Sequence, residues 1–128
     1  MSGLVVDTSV WIDFLAGRPA PALEEGLSQA TVALPPLVVA ELVSGARQGR
    51  QRAAIADLVR DLPIHETPLD HWIRVGELRR RLAEKGVTVS TPDAHIAQCA
   101  IDRDAVLLTR DDVFNKIAKA TSLRITSG

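Results

Sequence analysis

Short runs of β-branched and leucine residues alternate along this chain with longer stretches of helical periodicity, and that alternation is what most restricts its fold. Strands that succeed one another through helices pair in parallel, so the pattern predicts an α/β protein with a mostly parallel sheet flanked by helices. Residues 3–6, 31–34, 64–67, 105–108 and 123–126 read as its five strands. Helices are expected over 9–15, closed by Gly17, and again after Pro21. Another follows over "PLVVAELVSGA" with Pro36 at its first position, then one over 51–62 ended by Pro63. A long helix over 70–85 turns Val75, Leu78 and Leu82 inward, and "TPDAHIAQCAID" forms the next, with Thr91 as its cap. The last covers 112–120.

A chain of 128 residues has the size of one domain, expected to span 1–128 as a single unit. Its net charge of −1 gives no bulk attraction for nucleic acid, so such a partner must be met by a local patch. The lone cysteine, Cys99, forms no internal disulfide and reads as a small buried or half-buried filler. The N-terminus lacks the pattern of a secretory signal, and no apolar run is long enough for a membrane span, which points to the cytoplasm.

The acids fall in a pattern. Asp7 ends the apolar run "LVV", followed by the hydroxyls Thr8 and Ser9, and Asp111 follows "AVLLTR" in the same way. "LVVAELV" is apolar nearly all round, which predicts a buried helix, yet it carries Glu41 between Leu37 and Val38 on the wheel. Asp93 projects into the middle of the apolar side of its helix, in the first turn, where backbone N–H groups favour negative charge. The carboxyl edge of a parallel sheet is where ligands bind, and Asp7 and Asp111 belong there. Carboxylates gathered at one place raise one another's pKa, and a divalent cation resolves the conflict. An all-oxygen donor set favours Mg2+ or Mn2+ over zinc.

With "VVDTSVWID", "AEL", "PDAHIA" and "LLTRDDVF" in this order and spacing, the chain resembles the PIN-domain ribonucleases, in particular the VapC-type toxins of bacterial toxin–antitoxin pairs. The resemblance covers essentially the whole chain. It implies a five-stranded sheet in the order 3-2-1-4-5, with the switch point between the strands ending at Asp7 and Asp111. It implies Asp7, Glu41, Asp93 and Asp111 as catalytic, metal-binding acids, with Ser9 and Thr109 as supporting hydroxyls. Of the pair in "RDD", Asp111 is preferred because it directly follows the motif's threonine and arginine, leaving Asp112 to cap the next helix. The activity implied is magnesium-dependent hydrolysis of RNA phosphodiesters by an activated water. A small antitoxin that places an arginine among the acids and a homodimer are the implied partners.

Other readings compete. Asp7 alone suits a strand-end turn, Asp93 a helix start, and Glu41 a buried ion pair with an arginine. Asp13 reads as part of a solvated face, and His95 as exposed beside Gln98 and Asp102 on the polar side of its helix. Arg47, Arg50 and Arg52, or Arg74, Arg81 and Lys85, offer phosphate contacts, though Glu77 is placed to pair with Arg81. The aromatics all sit in helical patterns that want core, so no base-stacking platform is visible. A haloacid-dehalogenase-like enzyme needs an acid where Ser9 stands, and a receiver domain needs a lysine that "LRITSG" lacks. A catalytically inactive PIN-like binding module would be expected to have lost one of the acids, and none is missing.

Overall fold

The computed structural model describes residues 3–128, and residues 1 and 2 of the expected 1–128 unit lie outside them. In chain order the elements are β1 (Leu4–Val6), α1 (Thr8–Leu15), α2 (Pro21–Ser28), β2 (Val32–Ala33), α3 (Pro36–Gly45) and α4 (Gly49–Asp61). There follow α5 (Leu69–Glu84), α6 (Thr91–Asp102), β3 (Val106–Leu108), α7 (Val113–Ala120) and β4 (Arg124–Thr126). All strand pairs are parallel and the sheet runs β2-β1-β3-β4. It is thus the α/β fold expected, with β1 buried at the centre.

Among the described residues the sheet has four strands rather than five. The segment 64–67 contributes one parallel bridge, Ile64 to Leu34, beside β2. Its position keeps the expected order, but the ladder cannot grow. Leu34 donates to the Pro63 carbonyl at 2.9 Å and His65 to the Leu34 carbonyl at 2.8 Å. The next residues on the partner, Pro35 and Pro36, have no N–H to offer, and Pro36 already starts α3.

The core is built from both faces of β1 and β3 and the helices over them. Val5, Val6, Leu107, Trp11 and Phe114 are fully buried, and Val75, Leu78 and Leu82 of α5 turn inward as their spacing predicts. α6 is buried over seven consecutive residues, 94–100, because α5 packs along the side that the wheel marks as polar. α3 differs from expectation in the other direction. Val38 and Leu42 are buried, but Val43 is 55% exposed and Glu41 faces solvent, so the helix is a surface element with an apolar outer side.

Candidate active site

Register creates the site. Val6 pairs with Leu108, so the next residues on each strand, Asp7 and Thr109, come side by side where the two strands end. The Asp7 N–H donates to the Leu108 carbonyl at 2.9 Å and the Thr109 N–H to the Thr126 carbonyl at 3.0 Å, extending the pairing past the last strand residues. Here β3 stops at Leu108, so Thr109, rather than Asp111, is the strand-end neighbour of Asp7.

Asp7 is 7% exposed, a depth at which a carboxylate requires partners. Thr109 Oγ1 donates to its Oδ2 at 3.0 Å and Ser9 Oγ donates to the same oxygen at 3.1 Å. Burial pushes the Asp7 carboxyl above the ordinary aspartate range, the bonds from Thr109, Ser9 and the Thr8 backbone hold it back, and the nearby charge of Asp93 raises it further. The hydroxyls assigned to support the acids therefore both orient Asp7.

Asp93 lies half-buried in the first turn of α6. Burial raises its carboxyl too, with Ser90 opposing and the charges of Asp111 and Glu41 adding. Charge effects thus run pairwise along the edge, from Asp93 to Asp7 and from Asp111 and Glu41 to Asp93. Asp111 and Glu41 are both exposed. Glu41 Oε1 accepts from Thr8 Oγ1 at 2.7 Å, a contact that holds α3 against the start of α1.

Several local assignments change. The cap of α6 is Ser90, whose Oγ accepts from the Asp93 N–H at 3.2 Å, and Thr91 is the first helical residue. The spacing Ser90-Thr91-Pro92-Asp93 fits the hydroxyl-x-x-acid pattern of a helix start, a signal that points to Ser90. Asp112 stands at the cap position of α7 without a side-chain cap bond, while Asp111 Oδ1 accepts from the Val113 N–H at 3.1 Å. Asp13 is an ion-pair hub, not a free solvated acid: Arg18 reaches its Oδ1 at 2.6 Å and Arg110 its Oδ2 at 3.0 Å. The arginine of "TRDD" is thereby tied to α1. On α5 the pair that forms four residues apart is Arg80 with Glu84, at 3.0 Å, and not Glu77 with Arg81. His95 is fully buried, contrary to its polar-side placement. Thr8 and Ser90, which hold Glu41 and Asp93, were missed. For Ser90 the hydroxyl in "STPD" is a local signal, whereas the contact of Thr8 with Glu41, 33 residues away, has none.

A donor set of carboxylates, two with raised pKa, suits a hard divalent cation. Beside Glu41, a groove of about 560 Å3 runs between α1, α3 and α4, lined by Ile12, Leu15, Leu42, Ile55 and Arg50 among others.

A parallel α/β sheet whose switch point, between β1 and β3, carries an acidic edge is the architecture of a PIN domain. The chain belongs to that family, whose model matches residues 4–120 under the description PIN domain. It is 35% identical to ribonuclease VapC5 of Mycobacterium tuberculosis over an alignment of 130 residues, covering 94% of this chain and 92% of that one. Among solved structures it is similar to VapBC-5 of Mycobacterium tuberculosis, a member of the VapBC family of toxin–antitoxin systems, with 31% identity, TM-score 0.71 and 98% of each chain covered. It is also similar to VapBC2 of Rickettsia felis bound to a promoter DNA fragment, with 25% identity, TM-score 0.77 and 96% of each covered.

Proposed function

We propose that this chain is the toxin of a toxin–antitoxin pair, a magnesium-dependent endoribonuclease of the cytoplasm. The observation that carries the reading is the buried Asp7 carboxylate, aimed by Thr109 and Ser9 at the switch-point edge and coupled electrostatically to Asp93, which is coupled in turn to Asp111 and Glu41. The likeness to a ribonuclease over nearly the whole length supports the same activity.

In this reading Asp7, Glu41, Asp93 and Asp111 hold Mg2+ or Mn2+, which when bound makes water a better nucleophile and stabilises the departing oxygen of the RNA phosphodiester. The chain's own part is placement. Ser9 and Thr109 fix the Asp7 carboxylate so that it need not reorganise when substrate arrives. The first turn of α6 holds Asp93 with its charge among backbone N–H groups. Glu41 closes the edge from α3 and is steadied by Thr8. Asp111 is preferred to Asp112 as the fourth acid because it is the one whose charge Asp93 senses.

The partner proposed is a small VapB-like antitoxin. Glu41 lines the apolar groove and also belongs to the acidic edge, so an apolar segment lying in the groove would deliver an arginine to the carboxylates at its end.

The test is cleavage of total cellular RNA, with and without magnesium, by purified wild type and Asp93→Asn. Asparagine keeps the volume and removes the charge, so a folded variant, checked by circular dichroism, should lose cleavage by orders of magnitude. Equal activity in the two removes Asp93 from the site. Absence of cleavage in either, across several RNA pools, favours the inactive binding module instead.

A further inference from the structure

All three histidines and the only cysteine of the chain gather in one buried cluster. His65 lies on the connector between α4 and α5, His71 in the first turn of α5, and His95 and Cys99 one turn apart on α6. His65, His71 and Cys99 present ligand atoms that all lie within 4.8 Å of one another. His71 Nδ1 faces Asp102 Oδ2 at 3.1 Å, and the tautomer that donates from Nδ1 to this carboxylate presents the Nε2 lone pair to the cluster. That Nε2 is 2.7 Å from His95 Nδ1, and His95 Nε2 is 3.7 Å from Cys99 Sγ. Asp102 is itself fixed by Arg74, at 3.1 and 2.9 Å, and by Gln98 at 2.9 Å. The Trp72 ring stacks on His95 with centroids 4.6 Å apart and covers the cluster.

A purely structural histidine network accounts for His71 and His95 but not for His65. Its side chain is buried, 7% exposed, and its Nδ1 has no hydrogen-bond partner. Buried polar atoms are rarely left so without reason, and an unpaired imidazole nitrogen beside a thiol and a second imidazole is a ligand set.

We infer that this cluster is a binding site for a borderline-soft transition-metal ion, Zn2+ foremost, taken by His65, by His71 through Nε2 and by Cys99 through Sγ. The donors are nitrogen and sulfur, in contrast to the oxygens of the carboxylate edge, so the two sites select different cations. Asp102 stands where metal-binding histidines find an outer carboxylate that orients the ring and strengthens its lone pair. On binding, the Cys99 thiol gives its proton to solvent, and His71 Nε2 exchanges its contact with His95 for a bond to the ion. Zinc bonds of about 2.0–2.3 Å place tetrahedral ligand atoms about 3.5 Å apart, so the three donors, now within 4.8 Å of one another, have to draw together. The His65 N–H is tied to the Leu34 carbonyl, so that movement falls to side-chain rotation rather than to the backbone of the connector.

The consequence is a clip joining the connector, α5 and α6. Cys99 lies six residues beyond Asp93 on α6, about 9 Å along the axis at 1.5 Å per residue, so the clip stiffens the helix that presents Asp93 without touching it. The site does not depend on the ribonuclease reading.

Cobalt is the probe, because the chain has one thiol and a thiolate-to-cobalt charge-transfer band therefore reports Cys99 alone. Chelator-stripped full-length chain titrated with Co2+ should develop that band together with intense tetrahedral visible bands, saturating at one equivalent and bleached by one equivalent of Zn2+. His65→Gln should weaken binding about tenfold or more, since even outer partners of a metal site cost that much. Zinc should raise the melting temperature of wild type more than that of Cys99→Ala. Folded wild type without a thiolate band overturns the site, whatever the variants do. An unchanged affinity in a folded His65→Gln protein overturns it equally.

Discussion

At the residue scale, the site sets burial against hydrogen bonding at Asp7, and burial outweighs the bonds. Its folded pKa is raised, so its ionised form costs stability: the contribution is favourable below the unfolded value of 3.8 and is lost as pH rises through the folded value. Asp7→Asn should therefore raise the melting temperature of the metal-free chain at pH 7, and by less near pH 4, when the two are compared by thermal denaturation. Thr109→Val acts in the opposite sense. It leaves Asp7 Oδ2 and the Asp111 N–H, 3.1 Å from the hydroxyl, each short of a partner, and should cost about 1–3 kcal/mol in denaturant unfolding. Thr109 was legible as a site residue from "LLTRDD" and the family resemblance, but that its hydroxyl serves Asp7, on another strand, required the register.

At the scale of elements, helix and strand periods were mostly sufficient. The failures share a cause, namely that a wheel shows which side of a helix is polar but not what lies against it. α6 has α5 against its polar side, so His95 and Gln98 are buried there, whereas the apolar outer side of α3 is left uncovered. The fifth strand failed for a different reason, the missing N–H groups of Pro35 and Pro36. Close packing of α2 on the sheet gives a direct test. A Cβ at Gly26 would stand 2.9 Å from Val32 Cγ2 and 3.0 Å from Leu4 Cδ2. Gly26→Ala should lower the denaturant midpoint, a net loss of about 1–2 kcal/mol, because overpacking outweighs the roughly 1 kcal/mol gained in helix propensity.

At the scale of the whole molecule, three bulk measurements bear on the reading. If the acidic edge holds magnesium as proposed, the ion would bind only the folded chain, so millimolar magnesium should raise the melting temperature and chelator should reverse the rise; an unchanged transition would count against the metal site. The homodimer implied by the family resemblance would use the exposed Val43 on α3 and Val59 on α4, and light scattering on a sizing column would refute it by returning 13.8 kDa at micromolar concentration. The third is pH. Burial, with the neighbouring His71 and His65, lowers His95 to about 4, and burial likewise lowers His65. Between the unfolded value of 6.5 and about 4 the unfolded chain takes up protons that the folded chain refuses, so these histidines make metal-free stability fall with pH across that window. Asp102, lowered to about 2 where Arg74, Gln98 and His71 outweigh its burial, adds a further loss below 3.8. His95→Gln should flatten the decline between pH 6.5 and 4 in a series of thermal melts.

The sequence by itself determined the alternating architecture and the positions of the acids. Both are local: a strand's period, the end of an apolar run and the first turn of a helix can be located within a few neighbouring residues. It also supplied the motifs that carried the family resemblance. Only the tertiary structure decided that Thr109 stands beside Asp7, that Arg110 is spent on Asp13, and that His65, His71, His95 and Cys99 meet. Each of these joins residues from different elements, and such contacts are fixed by which surfaces the packed helices and strands turn toward one another, a choice that periodicity along one segment does not encode.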